Sequence, residues 1–409
     1  MLPWLHLGLG ASTTQVHHAQ YLSSYLARLV ASGQATSRSD LARVTGLARS
    51  TVSQHLAPLL SVGLLSERET EPAARGRPPT ALTLNPQAGV ILVADIGAAH
   101  GRLGVADFGQ RFLIERAIAT NVARGPQPVL ADVRREFAAM LNEQSVDADR
   151  VRLIIVGLPA PIDFSTGAPN HPPIMPGWDN YPVPDAFRND FAAQVLVDND
   201  VNLMALGEAR CRPAAQCPML YVKVSTGIGC GIVTHEGLLH RGADGAAGDI
   251  GHVRMPDHQE SCRCGNVGCV EAFASFGAIL RKLGIDENLP APTPPDDPSM
   301  AQIASMVRSA ASDVGELVAM LVHFFNPNVI VLGGRMAEFG AEMLAGVRSV
   351  VYRRALPLAT RKLSIELTTL GRRAGIVGAV VLGVEHVLSP AGLQSLIATR
   401  QGAIPLERE

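Results

Sequence analysis

Apolar residues recur at helical spacing early in the chain. Ala19, Leu22, Leu26 and Leu29 form one stripe along Gln15–Ser32, which predicts an amphipathic helix. Ser37-Arg38-Ser39-Asp40 has the form of a capping box and opens a short helix through Val44, after which Gly46 makes the turn. Another helix is predicted over Arg49–Val62, with Val52, Leu56, Leu59 and Leu60 facing inward and Arg49, Ser50, Thr51, Ser53, Gln54 and His55 facing outward. Pro58 deletes one of its backbone hydrogen bonds, so a bend or an early end is expected. Gly63–Glu69 and Thr80–Leu84 follow as short strands, joined by Thr70–Pro79 with Arg75-Gly76-Arg77-Pro78 inside the loop.

Helix-turn-helix and wing in this order predict a mainly α winged helix-turn-helix DNA-binding domain over residues 1–85. The outward residues of the second helix are donors and acceptors suited to phosphates and base edges, and Arg75 and Arg77 suit a minor groove. A protein-interaction module is the competing reading of such a bundle.

From Gly89 onward strands and helices alternate. Val90–Ile96, Leu103–Asp107 and Phe112–Ala119 read as strands, Gln127–Glu143 as a helix and Val151–Gly157 as a buried strand. After the loop Pro159–Trp178 come a helix near Asp185–Ala193, the strand Val195–Val197 and a helix over Asp200–Arg210. Met219–Val224 and Cys230–Thr234 then begin the plan again, with Asp95-Ile96-Gly97 and Ser225–Gly229 at matching turns. Two such halves facing one cleft predict an α/β, actin-like, duplicated ribonuclease-H-like domain of two lobes over residues 86–409. Leu289–Pro298, rich in proline, is expected to be an exposed loop.

Composition narrows the picture. With 47% hydrophobic and 18% charged residues the chain is globular, and a net charge of -2 requires any DNA contact to be a local patch. Met1–Gly10 is apolar but lacks a preceding Lys or Arg and turns polar at Ser12, a poor signal peptide. The apolar run Ala374–Leu388 is bounded by Arg373 and broken by Glu385 and His386, short of a membrane span. A cytoplasmic address without a membrane partner follows as an expectation, and it keeps thiols reduced.

Thiols are where the chemistry concentrates. His252, in Gly248-Asp249-Ile250-Gly251-His252, together with Cys262, Cys264 and Cys269 offers one imidazole and three thiolates, a complete tetrahedral set for zinc. Gly265 and Gly268 let the chain wrap back so that Cys269 faces the same point. A disulfide among these cysteines is the competing reading. Four protein ligands leave no open position for water, so the Zn2+ would be structural and would fix the loop that carries Asp249 and Glu271. Cys211, Cys217 and Cys230 are scattered and read as ordinary small residues.

Asp95-Ile-Gly97, Gly157-Leu-Pro159, Asn199-Asp200, Ser225–Gly231, Gly248–His252, the cysteine cluster and Asn326–Gly334 together resemble the ROK family of sugar repressors and sugar kinases. The resemblance spans essentially the whole chain, because a winged helix-turn-helix ahead of a sugar-kinase-like body is the arrangement of the family's repressors. It implies that Asn199, Asp200, Asp249, His252 and Glu271 contact sugar hydroxyls, although helix capping is an alternative role for Asn199 and Asp200. Asp249 stands where the family usually has Glu, and Asp200 matches the general base of the kinases. Family kinases follow Asp-x-Gly with a Gly-Thr pair that meets ATP phosphates; here Ala98 and Ala99 stand in those places. Ser225–Gly229 and Gly333-Gly334 still resemble the other nucleotide turns. The expected function is therefore a sugar-responsive DNA-binding transcriptional regulator, most often a repressor in this family. Its expected partners are a double-stranded DNA operator, a sugar or sugar-phosphate effector, and a second copy in a homodimer or homotetramer. The alternative is an ATP-dependent sugar (hexose) kinase with a fused DNA-binding head, using Asp200, ATP and Mg2+.

Overall fold

The computed structural model describes residues 15–69, 80–286 and 299–402. Met1–Gly10, the loop with Arg75 and Arg77, and Leu289–Pro298 lie outside the described residues. The chain opens with α1 (Gln15–Ala31), α2 (Arg38–Thr45) and α3 (Arg49–Ser61), then the antiparallel pair β1 (Leu65–Glu69) and β2 (Thr80–Leu84). The capping box forms as the sequence requires: Ser37 accepts from the Asp40 amide at 3.0 Å and donates its hydroxyl to Asp40 Oδ2 at 2.9 Å. Gly46, at φ +71°, closes α2 in the left-handed region. Pro58 does not end α3 early, and the helix runs on to Ser61.

Two five-stranded sheets follow. The first contains β3 (Val90–Ile96), β4 (His100–Asp107), β5 (Phe112–Ala119), then, after α4 (Pro126–Glu143), β6 (Val151–Leu158). A small hairpin, β7 (Ile162–Asp163) and β8 (Ala168–Pro169), precedes β9 (Gln194–Asn199), which completes this sheet in the order β5-β4-β3-β6-β9. The helix expected near Asp185–Ala193 is instead a single 3₁₀ turn, Val183–Phe187. Val183, Phe187 and Phe191 still face the core, but the poor helix formers Asn189 and Asp190 do not extend the turn.

After α5 (Asp200–Arg210) the plan repeats with β10 (Met219–Val224), β11 (Ile228–Val233) and β12 (Leu239–His240), then α6 (Val270–Ala274), α7 (Phe276–Lys282) and α8 (Ser299–Phe325). The chain continues with β13 (Val329–Gly333), α9 (Ala341–Arg354), α10 (Pro357–Thr360) and β14 (Ser364–Leu367), and ends in α11 (Ala374–Val387) and α12 (Pro390–Gly402). The second sheet, β12-β11-β10-β13-β14, has the same order and strand directions as the first. The central strands β3 and β13 are buried on both faces and so read as unbroken apolar runs rather than alternating ones, whereas the edge strands β9 and β14 are only partly covered.

Between the sheets lie α5, packed on β10 and β11, and α11, packed on β3 and β6. They meet backbone to backbone. A Cβ at Gly378 would sit 1.7 Å from the Leu203 carbonyl oxygen, and one at Gly207 would sit 2.6 Å from that of Ala374. The buried Glu208 ties α5 to the turn between β14 and α11, accepting from the Thr369 amide at 2.7 Å, and also accepts from Arg212 at 2.9 Å.

The head joins this layer through a continuous core. Leu26, Leu29 and Val30 of α1 share it with Ile91 and Val93 of β3, Val380 and Val384 of α11 and Leu393 of α12. Polar contacts fix the joint: the Ser24 hydroxyl donates to the Leu388 carbonyl, and Arg28 Nη2 to the Glu385 carbonyl at 3.4 Å. The Glu385 carboxylate in turn holds Arg210, at the far end of α5, at 2.7 Å. Among the described residues no single helix is long and apolar enough to cross a membrane; Ala374–Val387 is the buried inter-sheet helix.

Gly378→Ala should lower stability by about 3 kcal/mol, because neither backbone can retreat from the added methyl. Thermal or denaturant unfolding measures this, and an unchanged midpoint would show that the two helices are not held at this separation.

Candidate functional site

The parallel strands of both sheets direct their C-terminal ends at one cleft of about 1050 Å³. Asn199, Asp200, Asp249, His252 and Glu271 all line it, so residues far apart in sequence are brought together. Ala98 and Ala99 line the same cleft, at the turn after β3.

Asn199 caps α5: its Oδ1 accepts from the Val201 amide and its Nδ2 donates to the Ala160 carbonyl, both at 2.9 Å. Asp200, the first residue of α5, is buried and carries the Lys223 ammonium on Oδ2. Behind them the fully buried Asp198 accepts from Arg241 at 2.7 Å and from Asn202 at 2.9 Å, which fastens the strand end to the opposite loop. Asp95, at the end of β3, is also buried. Burial first, and the nearby Asp200 charge second, push its carboxyl from 3.8 up to about 7, against the opposing pull of Lys223 and Arg102.

Glu271 accepts from the Ile228 amide at 2.9 Å. Its carboxylate fills the space beside Gly227, where a Cβ would sit 2.6 Å from Oε2. The Ser225–Gly229 turn is thus stapled to the loop that bears the cysteines. Asp249 stands at the open side of the cleft, 3.8 Å from His252 Nε2, and partial burial between the cleft walls raises its carboxyl.

The four side chains expected to ligate a metal converge. The ligand atoms of His252, Cys262, Cys264 and Cys269 all lie within 4.8 Å of one another. Cys264 Sγ and Cys269 Sγ are 3.7 Å apart, and Cys262 Sγ is 3.5 Å from His252 Nδ1. A tetrahedral zinc with Zn–S of about 2.3 Å and Zn–N of about 2.0 Å spans edges of about 3.8 and 3.5 Å, so the donor set fits this ion. The cysteines are free thiols, and 3.7 Å is far beyond a disulfide bond. Gly265 and Gly268, at φ +91° and +78°, turn the chain so that Cys262, Cys264 and Cys269 face one point. Gly248 is likewise obligatory: a Cβ there would sit 1.8 Å from the Cys230 carbonyl oxygen of β11.

On the head, Arg49, Ser50 and Gln54 are exposed, while Thr51 and Ser53 are half-buried. No side chain caps the N-terminus of α3, which leaves its first amides open to an anion. His55 departs from the outward set expected from periodicity: it is half-buried, with Nδ1 3.1 Å from Ser23 Oγ of α1. Sequence reasoning also missed Lys223. Its signal was available, a lysine inside an apolar strand of a chain with only three lysines, but nothing local pointed it at Asp200.

A helix-turn-helix head continuous with a two-lobed α/β body, and a cleft of carboxylates beside a His/Cys cluster, together define the class of protein. The chain belongs to the ROK family, which residues 92–385 match; residues 25–67 match the bacterial regulatory proteins of the arsR family. It is 28% identical over 371 residues to the xylose repressor of Caldicellulosiruptor bescii, covering 86% of this chain and 92% of that protein. It is 33% identical over 248 residues to a glucokinase of Halalkalibacterium halodurans, covering 55% and 74%. The crystal structure of a ROK family transcriptional regulator, a homologue of the Escherichia coli Mlc protein, superposes with a TM-score of 0.76 at 21% identity, over 94% of this chain and all of that one. That likeness shows a shared fold.

The raised carboxyl of Asp95 has a stability consequence with a definite sign. The folded state binds a proton there more tightly than the unfolded chain, so this group's contribution is greatest below pH 3.8 and is lost as pH rises to about 7. Asp95→Asn should remove that decline. Denaturant unfolding of both proteins across this window measures it, and parallel pH profiles would rule the assignment out.

Proposed function

We propose that this chain is a cytoplasmic sugar-responsive repressor and not a kinase. The observation that carries the reading is the continuity of one layer: α5 begins at the carboxylates of the cleft, contacts α11 along its length, and α11 ends against the helix-turn-helix head. A sugar or sugar phosphate bound at Asn199, Asp200, Asp249, His252 and Glu271 acts on the lobe angle through this layer. Asn199 keeps its capping bonds in doing so and contributes chiefly by placing Asp200. To change the head, the effector must bind the DNA-competent and DNA-incompetent forms unequally.

In this reading residues 1–85 form the DNA-binding domain and residues 86–409 the effector and dimerisation domain. Arg49, Ser50, Thr51, Ser53 and Gln54 meet operator DNA, with Arg75 and Arg77 on the wing, whereas His55 positions α3 against α1. A homodimer or homotetramer presents paired heads to paired half-sites. His252, Cys262, Cys264 and Cys269 hold a structural Zn2+ that keeps Asp249 and Glu271 in place. Hexose phosphorylation with ATP is the weaker reading, since Ala98 and Ala99 supply neither the glycine nor the hydroxyl that would meet a phosphate chain.

Gel shifts on the protein's own upstream region test the regulator. Arg49→Ala should weaken salt-sensitive DNA binding about tenfold and leave sugar affinity unchanged. Arg28→Ala should leave sugar binding intact while shrinking the effect of sugar on DNA affinity, a coupling of about 1–3 kcal/mol in such systems. Absence of salt-sensitive binding at any site would sink the proposal.

Cys264→Ser should lower zinc content and sugar affinity together, by metal analysis and calorimetry. Sugar affinity that survives complete loss of zinc would separate the metal from the effector site.

A further inference from the structure

Asp95 and Lys223 occupy equivalent places in the two halves of the duplicated body. Each is the penultimate residue of the first strand of its sheet. Each pairs in register with a glycine of the parallel neighbour, Gly157 for Asp95 and Gly333 for Lys223. The internal symmetry therefore delivers them from opposite lobes into one cleft. There the Lys223 ammonium rests on Asp200 Oδ2, and Asp95 lies close enough to feel the charges of both. Asp95 and Asp200 are 8% and 2% exposed, and two buried carboxylates left without a cation would repel strongly.

In a phosphotransferase a divalent ion carried with the nucleotide supplies such a cation, and the base carboxylate must be free to take the hydroxyl proton. This cleft does not fit that group. An ammonium is already on Asp200 Oδ2, and Ala98 and Ala99 line the turn that would face the phosphates.

We propose that Lys223 is a resident counter-cation, which makes the cleft a sugar sensor independent of divalent metal and nucleotide. The proposal rests on the reading of the cleft as an effector site. Lys223 acts as a positioning residue: it holds Asp200 at the start of α5 and gives a sugar a hydrogen-bond donor beside an acceptor. An entering divalent ion would meet a fixed positive charge. Part of the departure from kinase chemistry therefore resides in the second sheet, at a residue distant from Ala98 and Ala99 in sequence.

Mn2+ is the probe, read by the paramagnetic resonance of the free ion on full-length, zinc-loaded protein. Wild type should take up no Mn2+ in the cleft. Lys223→Gln should bind it at least about tenfold more tightly, as removal of one adjacent buried charge allows, and should lose it again on adding Asp200→Asn. A folded Lys223→Gln protein with unaltered zinc content and no gain in Mn2+ binding overturns the proposal. So does wild-type uptake that Asp200→Asn abolishes. If Lys223→Gln does not fold, wild-type sugar affinity decides: constant across millimolar Mg2+ it supports the proposal, and increasing with Mg2+ it overturns it. Failure of the repressor reading would show separately, as loss of operator binding with the Mn2+ results unchanged.

Discussion

The close approach of α5 and α11 is the constraint on which the rest of the molecule depends. Helices that touch at glycine can lie nearer than side chains normally permit, and Gly207 and Gly378 supply that contact where the two sheets meet. Without it the lobes could not share one helical layer, since a Cβ at Gly378 would collide with the Leu203 carbonyl and one at Gly375 with the Asp95 carboxylate. The layer has direction. Both helices start at the cleft, α5 with Asp200 and α11 against Asp95, and their far ends are joined by the Arg210–Glu385 pair. At 14 residues, α11 spans about 20 Å, enough to carry a displacement at the cleft to the Glu385 and Leu388 carbonyls that anchor α1.

The same economy of contact governs the cleft. Glu271 is bonded to the Ile228 amide, and the loop bearing His252 begins where Gly248 presses on β11. Order imposed at the cysteines is therefore transmitted to the Ser225–Gly229 turn by one carboxylate. The turn resembles a phosphate cradle in sequence, yet its Ile228 amide is bonded by the protein itself. Similarity of a glycine-rich turn does not establish its ligand, because a protein carboxylate can take the place of a phosphate oxygen.

Much of this architecture was legible in the sequence where the signal is local. The capping box at Ser37, the left-handed turn at Gly46, the β-strand runs from Val90 and Met219 and the His252/Cys262/Cys264/Cys269 set each depend on residues close together or on strong periodicity. The remainder depends on tertiary pairing. Periodicity placed His55 outward, but Ser23 of another helix draws it in. Asn199 carried two readings, and the bond from the Val201 amide shows it capping, while its Nδ2 is taken by the Ala160 carbonyl. The helix expected at Asp185–Ala193 shrank to one turn although its apolar spacing survived, because burial of Phe187 and Phe191 does not require a full helix. Lys223 meeting Asp200, and Arg28 meeting Glu385, join segments that no window of sequence contains.

Duplication explains why those long-range pairs fall where they do. Two copies of one topology, facing each other, bring equivalent strand ends to a common cleft, so an acidic residue retained in both copies would place like charges together. This chain has Asp at one equivalent position and Lys at the other, with Asp200 between the two halves in sequence. The Lys223–Asp200 pair ties the second sheet to the start of α5 without an added ion. A ligand that bridges them then competes with an existing electrostatic tie instead of creating one. A lobe angle set by such a balance responds to an uncharged polyol, because hydroxyls can replace part of an ion pair's solvation without removing either charge. That is a physical route by which a cleft shaped like that of a phosphotransferase can report occupancy without doing chemistry.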